Sequence, residues 1–270
     1  MKLTVVVENF ADTPNVIAEY GLSIHIQDDR TQVLMDTGQG EALIPNMYAL
    51  GIRPDKVDHL VLSHGHFDHT GGMQKFLLRS GNIPIWAHPD VEIAHTRARG
   101  GMNRFIGCHL NKDAFDFRPV TGLTEISDGI WAVEVPVDHR DPAFLSSTGH
   151  LVLPSGKEWV PDTFPDDISL VVKGDRGLSV VFGCAHAGTV NILEEVSLHF
   201  GTREFYSVIG GMHLGGSPAE FVEMVTGELV SRFSVAWWKP CHCSGIATAI
   251  SLSRRSANVS WAGAGTSHEI

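Results

Sequence analysis

The chain has 270 residues, of which 43% are hydrophobic and 19% are charged, a composition typical of a globular protein with a sizeable buried core. Its formal net charge of −11 provides no broad basic surface for nucleic acid or an anionic membrane. A small anionic substrate stays compatible with this charge, because bound metal ions can reverse the local field.

We therefore expect a small-molecule substrate as the partner, with no nucleic acid and no membrane, while a homo-oligomer is left open. The N-terminal residues MKLTVVVENF do not resemble a secretory signal, and no run of about 18 apolar residues occurs. Two of the four cysteines, Cys241 and Cys243, flank His242 too closely for an easy mutual disulfide. A reducing, cytoplasmic location is the simplest expectation.

The first part of the chain, to about residue 90, is predicted to be rich in strands with interleaved helices. The strand patterns are LTVVVEN, SIHIQDD, QVLMDTG, VDHLVLSH and IPIWAHP, and the helix patterns are EALIPNMYALGI and TGGMQKFLLR. Residues 91–165 are less regular and contain several prolines. We expect this stretch to be a loop-rich excursion with a few strands, a common place for substrate contacts.

The rest of the chain is predicted to alternate between strands and helices. Two strands flank a turn in DDISLVVKGDRGLSVVFGCAH. After them come VNILEEVSLHFG (helix), EFYSVIGGMHL (strand), PAEFVEMVTGELVSRF (helix), SVAWWKPCHC (strand), GIATAISLSRR (helix) and NVSWAGAGT (strand). This order predicts an α/β (α+β) fold of two mixed β-sheets packed together with helices outside. No repeat or composition break marks a linker, so residues 1–270 are predicted to form one domain.

The run LSHGHFDHTGG contains four metal-binding side chains within six residues, at the end of a predicted strand. His64 and His66 are two apart in an extended segment, so they project to the same side and can bind one ion. Asp68 and His69 follow at the turn into a helix, where they can face a second ion. Surface histidines near a strand end are the alternative, and the density of the motif argues against it.

This run resembles the His-x-His-x-Asp-His motif with which the metallo-β-lactamase superfamily binds two metals between two sheets. More narrowly, the chain resembles the branch of dihydropterin-ribofuranosyl-aminobenzene-phosphate synthase-like hydrolases. The matching segments are HGHFDHTGG, STGHL, PDTFPDDISLV, GCAHAGTVN, GGMHL and PCHCSG. The resemblance implies a four-layer αβ/βα sandwich and a dinuclear metal centre with two zinc ions, iron or manganese being alternatives.

The resemblance also implies a set of metal ligands, which are His64, His66 and His186 for one ion and Asp68, His69 and His242 for the other. The alternative for His242 is a loop histidine beside two packed cysteines. The carboxylate that bridges the two metals in the superfamily is replaced here by Cys184. This cysteine is either a bridging thiolate or a small core residue. Because the bridging carboxylate is missing, whether the second ion is bound is left open.

Further polar residues are assigned by position. Asp166 and Asp167 are expected to orient ligand imidazoles by accepting their second N–H group, with direct ligation or a solvated turn as alternatives. His213 is expected to bond substrate or move a proton, with a plain loop residue as the alternative, and the role of His150 is open. The remaining histidines are expected to be structural or on the surface, namely His59, His88, His95, His109, His139, His199 and His268.

The function implied is hydrolysis of a small ester-type substrate, a phosphoester, lactone or related compound, by a metal-activated water. Asp68 would orient this water, and His213 would assist the leaving group. The branch suggests a phosphorylated or pterin-like substrate, and candidates for binding an anionic group are Arg97, Arg99 and Arg104. The rival hypotheses are an iron-dependent redox enzyme of the same fold and a metal-dependent ligand-binding protein without turnover.

Overall fold

The computed structural model describes residues 1–147 and 149–270, so Thr148 of the matching segment STGHL lies outside the described residues. The strands are β1 (Lys2–Val7), β2 (Ser23–Gln27), β3 (Gln32–Met35), β4 (His59–Val61), β5 (Ile85–Ala87), β6 (Thr96–Arg99), β7 (Met102–Phe105), β8 (Phe117–Pro119), β9 (Leu123–Ser127), β10 (Ile130–Glu134), β11 (Leu151–Ser155), β12 (Glu158–Pro161), β13 (Ile168–Gly174), β14 (Gly177–Phe182), β15 (Glu204–Gly211), β16 (Ser234–Cys241) and β17 (Ser267–Glu269). The α-helices are α1 (Leu43–Ala49), α2 (Phe67–Thr70), α3 (Met73–Ser80), α4 (Thr189–Phe200), α5 (Ala219–Arg232) and α6 (Ile246–Ser253).

Two mixed sheets form the centre of the molecule. The first has the order β17-β1-β2-β3-β4-β5-β8 and the second the order β16-β15-β14-β13-β10-β9. In the first sheet β3, β4, β5 and β8 run parallel, and in the second β14, β15 and β16 do. The carboxyl ends of these parallel strands carry the loops that hold the predicted site.

Apolar cores lie between the two sheets and on the outer face of each sheet, as β1 illustrates. Val5 belongs to the core between the sheets, where it joins Leu170 and Ile209 of the second sheet. Val6, the next residue, belongs to the core beneath α1 and α3, because successive strand residues point to opposite faces. A further core lies between the outer face of the second sheet and the helices α4, α5 and α6. Helices therefore cover both outer faces, and the predicted four-layer sandwich is confirmed.

The stretch 91–165 contains more regular structure than the sequence indicated. A third sheet of four strands, in the order β12-β11-β6-β7, lies here, while β8 joins the first sheet and β9 and β10 join the second. All residues of β7 and β12 are exposed, so neither strand has the apolar alternation that marks a half-buried strand in a sequence.

The strand predicted over NVSWAGAGT was wrong. This segment makes only isolated bridges, Trp238 with Val259 and Ala11 with Ala264, and the last strand is β17. Gly265, at φ 96°, turns the chain before β17 begins. Among the described residues, no helix combines the length and the apolar character needed to cross a bilayer.

Candidate metal centre

The histidine motif lies in the tight connection between β4 and α2. Gly65, between His64 and His66, fits only as glycine, because a Cβ there would overlap the carbonyl oxygen of Val91. The packing of this backbone holds the two imidazoles at a ring-centroid distance of 4.6 Å. The sequence motif thus delivers both rings to one side of the loop.

The first donor group consists of His64, His66 and His186, whose ring nitrogens lie within 4.8 Å of one another. Burial and the neighbouring imidazoles lower the pKa of each ring well below its usual value, so the rings are neutral at physiological pH. Nε2 of His64, Nε2 of His66 and both ring nitrogens of His186 have no hydrogen-bond partner among the described residues. Because buried polar atoms without a partner are rare, these nitrogens suit a bound metal cation.

The second donor group consists of Asp68, His69 and His242, whose donor atoms also lie within 4.8 Å of one another. Nε2 of His69 is 3.2 Å from Nε2 of His242, which in turn is 3.5 Å from a carboxylate oxygen of Asp68. All three side chains are buried. His242 follows β16 and Asp68 lies in α2, so the group joins the edges of both central sheets.

Asp36 and Ser63 hold the histidines of both groups in one orientation. The carboxylate of Asp36 accepts hydrogen bonds from Nδ1 of His69 at 2.7 Å and from the hydroxyl of Ser63 at 2.7 Å. Since that hydroxyl donates to Asp36, its oxygen accepts from Nδ1 of His64 at 2.9 Å. Both Nδ1 atoms are therefore donors, and both Nε2 atoms are turned to the candidate metal positions. Burial lowers the pKa of His69, but Asp36 and Asp68 outweigh this effect and raise the pKa to about 9.

Glu8 and Asn9, at the end of β1, position His242. A carboxylate oxygen of Glu8 accepts from the backbone N–H of His242 at 2.6 Å, and the side-chain oxygen of Asn9 accepts from its Nδ1 at 3.0 Å. Asp36, Glu8 and Asn9 were not identified in the sequence. Each lies within two residues of the end of a strand of the first sheet, and this position was the only indication in the sequence.

Cys184 lies between the two donor groups. Its Sγ is 3.2 Å from Nε2 of His69, and it can share an ion either with His64 and His69 or with His242 and Cys243. Burial raises the pKa of this thiol well above its usual value. The position fits a bridging ligand, and the side chain is buried.

Asp166 and Asp167 do not contact the imidazoles of the first donor group in the described residues. Asp166 accepts from the backbone N–H of Gly65 at 2.7 Å and from Nε2 of His95 at 3.0 Å, and Asp167 accepts from the backbone N–H of Ala187 at 3.0 Å. The expectation that they orient ligand rings was therefore wrong. They hold the backbone on either side of the ligands instead.

His95 was expected to be structural or on the surface, and it is a buried structural residue beside the site. Its Nδ1 is 2.6 Å from Asp162, and its ring lies 4.8 Å from that of His66. Burial lowers the pKa of His95, but hydrogen bonds to Asp162 and Asp166 outweigh it and raise the pKa to about 9. Nothing in the sequence around His95 indicated this network, because its carboxylate partners, Asp162 and Asp166, lie 67 and 71 positions further along the chain.

A cavity of about 810 Å³ opens onto both donor groups. His213 lines it and lies 4.2 Å from the ring of His186, with its Nδ1 hydrogen-bonded to the hydroxyl of Ser146 at 2.9 Å. Burial and nearby histidines lower the pKa of His213 to about 4, so the ring is neutral at physiological pH. His150 and Tyr20 also line the cavity. His213 thus lies beside the candidate metal positions, and its role in the reaction stays a prediction.

Two arginines line the same cavity. Arg97 and Arg104 are paired across β6 and β7, and the guanidinium of Arg104 lies 5.7 Å from the ring centre of Phe67. The arginine ion pairs of the described residues involve other arginines, so these two guanidinium groups have no acidic partner there. Arg99, the third candidate, does not line the cavity.

Comparison with known proteins places the chain in one family. A family model described as the metallo-beta-lactamase superfamily matches residues 17–199. The 7,8-dihydropterin-6-methyl-4-(beta-D-ribofuranosyl)-aminobenzene-5′-phosphate synthase of Methanocaldococcus jannaschii is 28% identical, over 84% of this chain and 82% of that protein. The anti-Pycsar protein Apyc1 of Saccharibacillus brassicae is 26% identical, over 73% of this chain and 84% of that protein.

A solved structure supports the same placement. Tm1679, described as a metal-dependent hydrolase of the beta-lactamase superfamily, superposes with a TM-score of 0.84 at 26% identity, covering 100% of this chain and 99% of that one. The family match spans more than half of the chain and includes the histidine motif. The chain belongs to the metallo-beta-lactamase superfamily.

Proposed function

We propose that this protein is a metal-dependent hydrolase of a small ester-type substrate that carries a phosphate group. The observation that carries the proposal is the convergence of the two donor groups on one cavity, which is lined by His66, Asp68, His186 and His242. Metal ions bound there would polarise the attacked group and lower the pKa of a bound water. The unpartnered ring nitrogens of the first donor group support this proposal.

The residues around the cavity can carry the proton transfers of hydrolysis. Asp68 can orient an attacking water by accepting a hydrogen bond from it. As the bond from phosphorus or carbonyl carbon to the leaving oxygen breaks, negative charge develops on that oxygen, and it finally takes up the proton that the attacking water releases. When Ser146 donates to Nδ1 of His213, the ring carries its proton on Nε2 and can donate a hydrogen bond to the leaving oxygen.

Arg97 and Arg104 favour a substrate with a phosphate group. Both guanidinium groups are exposed to solvent beside the cavity and have no acidic partner among the described residues, so they are free to bind an anion. Guanidinium groups match phosphate oxygens two at a time. The name of the M. jannaschii relative includes a 5′-phosphate, which supports the same substrate class. Because that name describes a synthase, joining of a pterin to a phosphorylated acceptor is the competing reaction.

The test combines elemental analysis of the purified protein with a substrate screen. The panel contains phosphodiesters, phosphomonoesters, lactones, thioesters and a pterin offered with a phosphorylated acceptor. We expect bound zinc, iron or manganese and hydrolysis of a phosphorylated ester, both lost in His66→Ala and both kept in His139→Gln, a change at an exposed histidine. Full metal content and activity in His66→Ala would overturn the proposal. Iron with oxygen consumption and no hydrolysis would replace it with a redox function.

A further inference from the structure

Two of the four cysteines lie together beside the candidate metal centre. Cys184 follows β14 and Cys243 follows β16, and both line the cavity. Because β14, β15 and β16 are parallel neighbours, their carboxyl ends bring these two side chains to the same sheet edge. The other two thiols have different surroundings: Cys108 donates to the carbonyl of Val91, and Cys241 is part of the core between the sheets.

The two thiols and His242 have the spacing of a metal site. The Sγ atoms of Cys184 and Cys243 and a ring nitrogen of His242 all lie within 4.8 Å of one another. In a tetrahedral zinc site with metal–ligand distances of about 2.0–2.3 Å, neighbouring ligand atoms are roughly 3.5–4 Å apart, so little movement is needed. We name these three residues the thiol-containing donor group.

The surroundings of Cys243 keep its sulfur aimed at Cys184. The backbone N–H of His213 donates to Sγ of Cys243 at 3.3 Å, a contact that stabilises a thiolate held by a metal. Gly211 leaves the space for this sulfur, because a Cβ on Gly211 would lie 2.6 Å from it. Cys243 is also the only one of the four cysteines that is not fully buried, so a metal ion can reach it from the cavity.

We infer that the thiol-containing donor group binds a thiophilic divalent cation of the zinc, cobalt or cadmium class. This inference rests on the proposed metal centre and deepens it by adding Cys243, a residue outside the ligand set that the family motif implies. His242 is common to this group and to the second donor group, and its Nδ1 is bonded to Asn9, so its one free ring nitrogen binds a single ion. The cation is therefore the ion of the second donor group, and the two thiols add to the ligands Asp68, His69 and His242. Thiolate ligands favour zinc-like cations over magnesium and manganese, and the site selects its metal accordingly.

The test is cobalt substitution followed by absorption spectroscopy. The metal-free, full-length protein is reduced, kept without oxygen and titrated with Co²⁺. We expect a near-ultraviolet thiolate-to-cobalt absorption that falls to about half in Cys184→Ser and in Cys243→Ser and disappears in the double variant, as each thiolate ligand is removed. Cys108→Ser is the matched control, and its absorption should equal that of the unchanged protein.

Equilibrium dialysis measures how much Co²⁺ each protein binds, so that a missing absorption can be distinguished from missing metal. An unchanged protein that binds cobalt without the thiolate absorption, or a Cys243→Ser variant that keeps full intensity, overturns the inference. Cys243→Ala provides a second variant, and circular dichroism verifies that both variants fold. The test also distinguishes failure of this inference from failure of the proposed function. Hydrolysis without the thiolate absorption refutes only the thiol ligands, and the absorption without hydrolysis refutes only the hydrolase function.

Discussion

His69 and His242 face each other through their Nε2 atoms at 3.2 Å, while each ring has its Nδ1 hydrogen-bonded to an oxygen that can only accept. The Nδ1 atoms must therefore donate, to Asp36 and Asn9 respectively. Because the pKa of His69 is raised to about 9, its Nε2 carries a proton and donates it to Nε2 of the neutral His242, and a metal ion bound between the two rings would displace this proton. The two histidines come from opposite sheets, and a positive charge at this point links the two halves of the fold.

Asp36→Asn should weaken metal binding by about 10–100-fold, the usual effect of removing the hydrogen-bond partner of a ligand histidine. Asp36 accepts from His69 and twice from Ser63, and an asparagine amide would place a donor against these donors. Competition with a chelator measures the change. Asp58→Asn, which alters an exposed acceptor for the backbone N–H of Gln32, should bind metal normally.

Arg97→Gln and Arg104→Gln should each raise KM for a phosphorylated substrate by about 10-fold or more, because a hydrogen bond to a charged group contributes about 1.5–3 kcal/mol. Each variant should hydrolyse an uncharged lactone as the unchanged protein does. Arg99→Gln is the matched control, since this residue shares β6 with Arg97 but does not line the cavity. Equal losses on charged and uncharged substrates would show that these arginines support the structure and do not recognise phosphate.

The sequence predicted the parts of the site that are close together along the chain or that match the family motif. His64, Asp68 and His69 lie within six residues, and their spacing alone indicated chemistry. His95 and Asp162 are 67 positions apart, and only the folding of the excursion brings them together. The same distinction explains the fold: continuous apolar strands between covering layers were recognised, whereas the exposed strands β7 and β12 had no pattern to recognise.

His25 should make the stability of the protein fall as the pH drops. Burial lowers the pKa of this histidine from 6.5 to about 4, with a hydrogen bond to Gln32 opposing the effect. As the pH falls below 6.5, the unfolded chain binds a proton that the folded chain refuses, so the contribution is complete above pH 6.5 and is lost towards pH 4. The loss should approach about 3 kcal/mol, at 1.36 kcal/mol per pKa unit.

Urea unfolding of the metal-free protein measures this loss. In His25→Gln the fall in unfolding free energy between these pH values should be smaller than in the unchanged protein. His109→Gln, at an exposed histidine, should retain the full fall. If His25→Gln and the unchanged protein show parallel curves, His25 does not cause the acid sensitivity.

Gly65→Ala should destabilise the protein and weaken metal binding, because the added methyl group disturbs the packing of the histidine motif. Comparison with a methyl group added at an open position distinguishes this local effect from the general one. The new Cβ would overlap the carbonyl of Val91, and because a backbone atom cannot rotate away, the loop between His64 and His66 must shift. Such overpacking costs about 1–3 kcal/mol of stability, and the shift should also weaken metal binding by moving both imidazoles.

The control is Gly227→Ala, in the middle of α5. A Cβ at this position would have its nearest neighbouring atom 3.9 Å away, so the change should stabilise the protein by up to about 1 kcal/mol. Unfolding curves should therefore show lower stability for Gly65→Ala and higher stability for Gly227→Ala. Chelator competition should show weaker metal binding in Gly65→Ala alone. A Gly65→Ala protein that binds metal as tightly as the unchanged chain would mean that the two imidazoles do not depend on this loop for their position.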